Sequence, residues 1–240
     1  MKQHIPNFIT LLNLFSGCVA VVFAVLNKLE VAAIFVFLGI FFDFLDGLAA
    51  RLLNVQSEIG VQLDSLADMV TSGVVPGIVM FQLLNMSQPS GWNVGFFGSD
   101  LTLLPFFGFV ITLASAYRLA KFNIDENQVS SFIGLPTPAN TLLILSLPLI
   151  LLYHSNDTLN TVILNQWFLL AITILSAILL NAKIELFALK FKKWSFKGNE
   201  VRYLFLIGSL VLLLTLKFLA VPAIIVIYIL LSVITNLKKS

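Results

Sequence analysis

Charge is scarce in this sequence. Asp, Glu, Lys and Arg make up only 11% of its 240 residues, against 59% hydrophobic ones, and the mean hydropathy is +1.00. A soluble domain carries about a quarter charged residues, so the scarcity excludes an ordinary water-soluble globule and predicts an all-α, polytopic transmembrane helix bundle. Cysteine is scarcer still. The single Cys18 excludes an internal disulfide and a cysteine-built metal cluster, and it reads as a small apolar residue on a membrane helix. The two histidines, His4 and His154, lie far apart in the chain, which leaves zinc and copper poorly provided with donors. A net charge of +2 supplies no basic field for nucleic acid. Fixed-period repeats, low-complexity tracts and soluble segments are all missing, so 1–240 reads as one membrane domain.

What is present is a series of apolar runs. Roughly 20 apolar residues cross a hydrocarbon core, and eight stretches qualify, near 8–26, 31–52, 59–84, 101–121, 138–154, 165–183, 201–218 and 220–236. No small-residue cleavage site follows the first run, so it is expected to stay. The last pair is the least certain division: Pro222, with Lys217 nearby, marks a turn, and one bent helix is the alternative. Lys and Arg fall unevenly across eight spans. Lys2, Arg51, Arg118, Lys121, Lys183, Lys190, Lys192, Lys193, Lys197, Arg202, Lys238 and Lys239 share one side, and only Lys28 and Lys217 take the other. Positive residues are retained in the cytoplasm, so both termini are expected there, with 85–100 and 155–164 outside. The segment 183–202 interleaves Lys with Phe, Leu and Trp; it reads as a positive-inside loop, with an amphipathic helix on the inner leaflet as the alternative.

The costliest residues for a bilayer are clustered. The second span carries Asp43 and Asp46, the third Asp64 and Asp68, and each spacing sets its pair on one helix face. A short turn around 51–57 makes the two helices antiparallel, so the faces can meet near the inner membrane surface. Four carboxylates together repel one another. Arg51 alone offsets too little of this, and an oxygen-only donor set suits a hard divalent cation such as Mg²⁺ or Mn²⁺. Gly47, Ala50 and Gly60 leave the face beside the acids with little bulk, room for a flat ligand to approach backbone.

Written out, Asp43-x2-Asp46-Gly47-x2-Ala50-Arg51-x8-Gly60-x3-Asp64-x3-Asp68 resembles the CDP-alcohol phosphatidyltransferase family at every fixed position. The resemblance implies at least six transmembrane helices, usually in a homodimer, with the site open to the cytoplasm and the inner leaflet of the cell membrane. It implies two metal ions held by Asp43, Asp46, Asp64 and Asp68, and Asp68 as the base. It also implies that Asn7, Thr10, Gly47, Arg51 and Ser57 contact the CDP part of CDP-diacylglycerol, with Arg51 on phosphate. Ser57 equally reads as the N-cap of the third helix.

A second stretch bears on the acceptor. Tyr117-Arg118-Leu119-Ala120-Lys121-Phe122-Asn123 and Phe132-Ile133-Gly134-Leu135-Pro136-Thr137-Pro138-Ala139 resemble the pattern of bacterial and archaeal members that use L-serine. Lys121 stands where Arg is usual, which keeps charge but loses a bidentate fork. The opening Pro6-Asn7-x2-Thr10-x2-Asn13-x3-Gly17 is similar to the first helix of that group. The resemblance thus covers most of 6–140, the catalytic helices, and leaves the C-terminal helices at about 165–236 without a comparable motif. It implies transfer of a phosphatidyl group to serine with release of CMP. Arg118 and Lys121 are cations available to the serine carboxylate, and plain membrane-edge anchoring is their alternative role. Glycerol 3-phosphate or inositol phosphate as acceptor would call for a denser basic pocket. A transporter would explain the acids, but not Gly47, Ala50, Arg51 and Gly60 at their spacings.

Overall fold

A computed structural model describes residues 4–55, 57–88, 103–124, 131–154, 156–187 and 199–237. The apolar runs become helices. α1 (His4–Val25) and α2 (Leu29–Leu53) fold back on each other, with Asn27 in a left-handed conformation at φ 56° in the turn. Most of their buried residues are small or polar, among them Asn13, Gly17, Ala20 and Ala24 on α1 and Ala32, Ala33 and Gly39 on α2. Lipid tails are as apolar as leucine, so membrane helices associate by close backbone packing, and small residues permit it.

Asn54 ends α2 at φ 52°, and Ser57 caps α3 (Glu58–Asp68) by accepting the Gly60 N–H at 3.1 Å. The helix does not stop at Asp68. It runs through a π turn, Met69–Val74, into α4 (Val75–Met86), giving one 29-residue helix over 58–86. Pro76 accounts for the irregularity, because it has no N–H to offer the Ser72 carbonyl four residues back. That carbonyl instead accepts from Thr141 Oγ1 at 2.8 Å, and the Gly73 carbonyl accepts from Thr112 Oγ1 at 2.9 Å. The loosened turn is therefore fastened to two other helices.

A 3₁₀ turn, Leu104–Gly108, leads into α5 (Phe109–Ile124), which crosses α4 closely. A Cβ on Gly108 would stand 2.6 Å from the Phe81 nitrogen. α6 (Thr137–Tyr153) follows, then α7 (Asp157–Ile163) and α8 (Gln166–Asn181), which bend 59° from each other. Two short strands, β1 (Ser131–Ile133) and β2 (Glu185–Phe187), pair antiparallel with Phe132 opposite Leu186. Among the described residues this ribbon is the one addition to an otherwise helical architecture, and it puts a strand at the start of the segment read as a loop or surface helix. Gly134, at φ 75°, turns the chain from the ribbon toward α6. A Cβ there would lie 2.5 Å from the Leu180 carbonyl oxygen. Glycine thus lets this segment sit on the end of α8, where Leu135 N–H donates to the Leu179 carbonyl at 2.8 Å.

α9 (Glu200–Leu216) and α10 (Ala220–Leu237) resolve the question left over 201–236. The rings of Phe205 and Tyr228 are 5.5 Å apart, whereas a continuous helix would separate them by about 34 Å. Two helices therefore form a hairpin, and its turn is at Lys217, φ 48°, rather than at Pro222, which lies in the first turn of α10. By length and composition, α1, α2, 58–86 and 200–236 suffice to cross a membrane, and the bent α7–α8 pair makes a fifth stretch. With the 200–236 stretch folded in two and the 16-residue α5 and 17-residue α6 included, helices stand at all eight expected places. The chain is an integral membrane protein. Lys2, Lys190, Lys192, Lys193, Lys197, Lys238 and Lys239, and most of the segment 85–100 expected outside, lie beyond the described residues.

Candidate active site

The turn between α2 and α3 brings the paired acids face to face. Carboxylate oxygens of Asp43, Asp46 and Asp64 lie within 4.8 Å of one another. Asp46 accepts a hydrogen bond from Thr10 Oγ1 at 2.6 Å, whereas Asp64 Oδ1 is buried and has no hydrogen-bond partner. Three carboxylates this close, one with an orphaned oxygen, repel unless a cation lies among them. All the donors are oxygens, the set preferred by Mg²⁺, Mn²⁺ and Ca²⁺. The residues therefore fit a divalent metal.

Asp68 adjoins this trio, near enough for its charge to act on theirs. Its Oδ1 accepts from Asn13 Nδ2 at 3.3 Å, and Asn13 Oδ1 in turn accepts from Thr71 Oγ1 at 2.8 Å. The Asp68 carboxylate can only accept when ionised, so the NH₂ end of the amide is the one presented to it, which leaves Asn13 Oδ1 to take the Thr71 proton. Both intermediaries are fully buried. The space around them is made by glycines: a Cβ on Gly17 would come within 2.4 Å of Thr71 Oγ1, and one on Gly39 within 2.9 Å of Asn13 Oδ1.

Beside the acids opens a cleft of about 730 Å³. Asn7, Thr10, Gly47, Arg51 and Ser57 all line it, together with Asp46, Ala50, Gly60 and Asp64. Arg51 Nε donates to the Gly47 carbonyl at 2.9 Å, which holds its guanidinium at the rim. A Cβ on Gly47 would meet nothing nearer than Arg51 Nη2 at 3.9 Å. The protein's own packing therefore does not require glycine there, and the room belongs to the cleft. Ser57 has both expected roles, as cap and as cleft wall.

Arg118 is buried on α5, near enough to Asp68 for the two charges to interact. Its Nη1 donates to Thr137 Oγ1 at 3.1 Å, and its Nε is buried without a partner. With Lys121, Phe122, Ile133, Leu180 and Asn181 it lines a second, small pocket of about 10 Å³, room for about one water. Phe122 borders both pocket and cleft. Asn123 serves differently, joining α5 to α3 through Ser65 Oγ at 3.0 Å and Gln62 Oε1 at 3.4 Å. Reasoning from the sequence had passed over Thr71, Gly39 and Asn181 and had given Asn13 no role. Asn13 lies one helical step beyond Thr10, on the face that carries the motif, whereas nothing local marks Thr71 or Asn181.

The geometry can be set beside known proteins. A model of the CDP-alcohol phosphatidyltransferase family matches residues 3–183. The CDP-diacylglycerol–serine O-phosphatidyltransferase of Bacillus subtilis is 36% identical over 140 residues, 57% of this chain and 70% of that protein. The yeast (Saccharomyces cerevisiae) protein of the same name is 36% identical over 160 residues, covering 60% and 53%. That of Methanocaldococcus jannaschii is 34% identical over 140 residues, covering 58% of each. The match thus spans little more than half the length of the yeast and archaeal relatives.

Proposed function

This chain belongs to the CDP-alcohol phosphatidyltransferase family, and on that premise we propose that it transfers the phosphatidyl group of CDP-diacylglycerol to the hydroxyl of L-serine. The products are phosphatidylserine and CMP. One observation carries the reading: two of an acid trio, Asp46 and Asp64, line a cleft that the predicted nucleotide contacts also line, with a fourth acid, Asp68, between the trio and a buried arginine. Asp43, Asp46, Asp64 and Asp68 hold two divalent cations, Mg²⁺ or Mn²⁺, which when bound offset the charge of the donor's pyrophosphate and of the departing CMP.

The chain's own residues do the rest. Asn7, Thr10, Gly47 and Ser57 contact the CDP part, and Arg51 a phosphate. Arg118 and Lys121 hold the serine carboxylate. Asp68 accepts the serine hydroxyl proton as that oxygen bonds to phosphorus and the bond to CMP breaks; a positioned base contributes about 10² to 10⁴ in rate. The bias of Lys and Arg puts the site and both termini on the cytoplasmic side of the cell membrane. By resemblance the chain acts as a homodimer and as a single membrane domain, with its catalytic residues in 6–140.

The test is CMP release by purified protein given CDP-diacylglycerol and Mg²⁺ or Mn²⁺. Release should depend on serine, stop on chelation, and not be sustained by glycerol 3-phosphate or inositol phosphate. Release without acceptor would identify a hydrolase, and none under any condition would return the acids to a transport role.

A further inference from the structure

The small pocket beside Arg118 has a polarity that the two cations alone do not explain. Asn181, at the last position of α8, directs both amide hydrogens into the protein: Nδ2 lies 3.1 Å from the Ala114 carbonyl oxygen and 3.3 Å from that of Ala177. Flipping the amide would set Oδ1 against those two carbonyls, so the orientation is fixed. Its Oδ1 is buried with no hydrogen-bond partner. A buried acceptor left unpaired is costly and asks for a donor. Arg118 Nε, on the same pocket, is likewise buried and unpaired, and asks for an acceptor.

We propose that Asn181 Oδ1 is the receptor for the ammonium group of an amino-acid acceptor, opposite the Arg118 and Lys121 cations that take its carboxylate. The inference rests on the serine-transfer reading and extends it to how the acceptor is chosen. A zwitterion offers N–H donors and a carboxylate on one carbon, which answers an unpaired amide oxygen and unpaired guanidinium N–H lining one pocket. A phosphate-bearing acceptor has no cationic donor for Asn181 and meets its lone pairs with negative oxygens. Asn181 thereby disfavours such acceptors as well as favouring serine. Seating requires more room than the 10 Å³ now present. Phe122, the shared wall with the cleft, is 40% exposed, and it is the side chain that would have to turn outward for the two spaces to join. The serine hydroxyl then enters from the pocket side toward Asp68.

The test compares L-serine with 3-hydroxypropionate, the same molecule without the amino group, in the CMP-release assay on the full-length protein. Asn181→Leu keeps the number and branching of the side-chain heavy atoms and removes the acceptor together with the tethering donors. It should raise KM for serine about tenfold or more, the worth of one charge-assisted hydrogen bond, and shrink the preference for serine over 3-hydroxypropionate by a similar factor, with a smaller change in kcat. Asn181→Asp loses the tethering donors but retains an acceptor, and should keep KM for serine near the wild-type value. That second variant decides the matter if Asn181→Leu fails to fold. Unchanged KM and preference in Asn181→Leu, or a KM in Asn181→Asp raised as far as in the leucine variant, would overturn the assignment. Wild-type protein that releases no CMP with serine overturns the underlying reading and this inference with it.

Discussion

The cleft proposed for the donor and the pocket proposed for the acceptor are built differently. The cleft of about 730 Å³ is open and comes from three consecutive helices, so residues 6–64 plus Phe122 make its whole wall. The pocket of about 10 Å³ is far smaller and needs the end of α5, the ribbon and the end of α8, drawn from positions 118 to 181. In the cleft, polar groups are displayed to a ligand and Gly47 leaves space unused. In the pocket, unpaired polar atoms are sealed inside. A site for a large, invariant donor can be prepared open. A site that must discriminate among small acceptors gains from burying the groups it uses, because an unpaired buried partner penalises the wrong ligand.

Substitutions can break this contrast. The largest effect is expected at the proposed base: Asp68→Asn should lower CMP release by at least about 10²-fold while CDP-diacylglycerol binding, measured by radioligand filtration, persists. Next comes Asn13→Leu, which deletes the bonds to Asp68 and Thr71 while keeping the number and branching of the side-chain heavy atoms. A fall in kcat of about ten- to a hundredfold is expected, with KM for the donor changed much less, and a shift in KM alone would show that Asn13 serves the cleft instead.

These cases also show how much the sequence revealed. Asp43, Asp46, Asp64 and Asp68 were legible because a helical repeat and one short turn suffice to bring them together. Asn7, Thr10, Gly47, Arg51 and Ser57 needed the family resemblance, and they meet in one cleft. Eight helices could be read from apolar runs, and Lys217 and Pro222 marked the last turn to within a few residues. Asn181 and Thr71 were illegible for a physical reason: each acts through partners 58 or more positions away in the chain, Asn13 for Thr71 and Ala114 for Asn181. No local spacing encodes such meetings. The β1–β2 ribbon escaped for the same reason, since three-residue strands carry too little alternation to be seen.

Smaller effects sharpen the contrast further. Gly47→Ala should fold normally, with an unchanged Tm, because the added methyl has 3.9 Å of clearance. Its KM for CDP-diacylglycerol should rise about tenfold, and an unchanged KM would mean that the donor does not approach that backbone. Gly17→Ala is expected to show the reverse, since its methyl would come within 2.4 Å of Thr71 Oγ1. The thermal midpoint in detergent should fall, by the equivalent of about 1–3 kcal/mol for overpacking, and donor KM should hold.

The π turn at Met69–Val74 has a consequence for rotation along the 58–86 helix. Each residue in an α-helix advances the azimuth by about 100°, and a π turn carries extra residues per revolution. The part of the helix before it aims Asp64 and Asp68 at α1 and α2, and the part after it aims Gly77 at Thr112 of α5. The turn acts as a phase shifter, letting one rod mesh with two sets of neighbours whose teeth are out of step. Deleting a single residue from 69–74 would straighten the rod and swing α4 out of mesh. The length of this stretch, as much as its composition, is therefore under constraint.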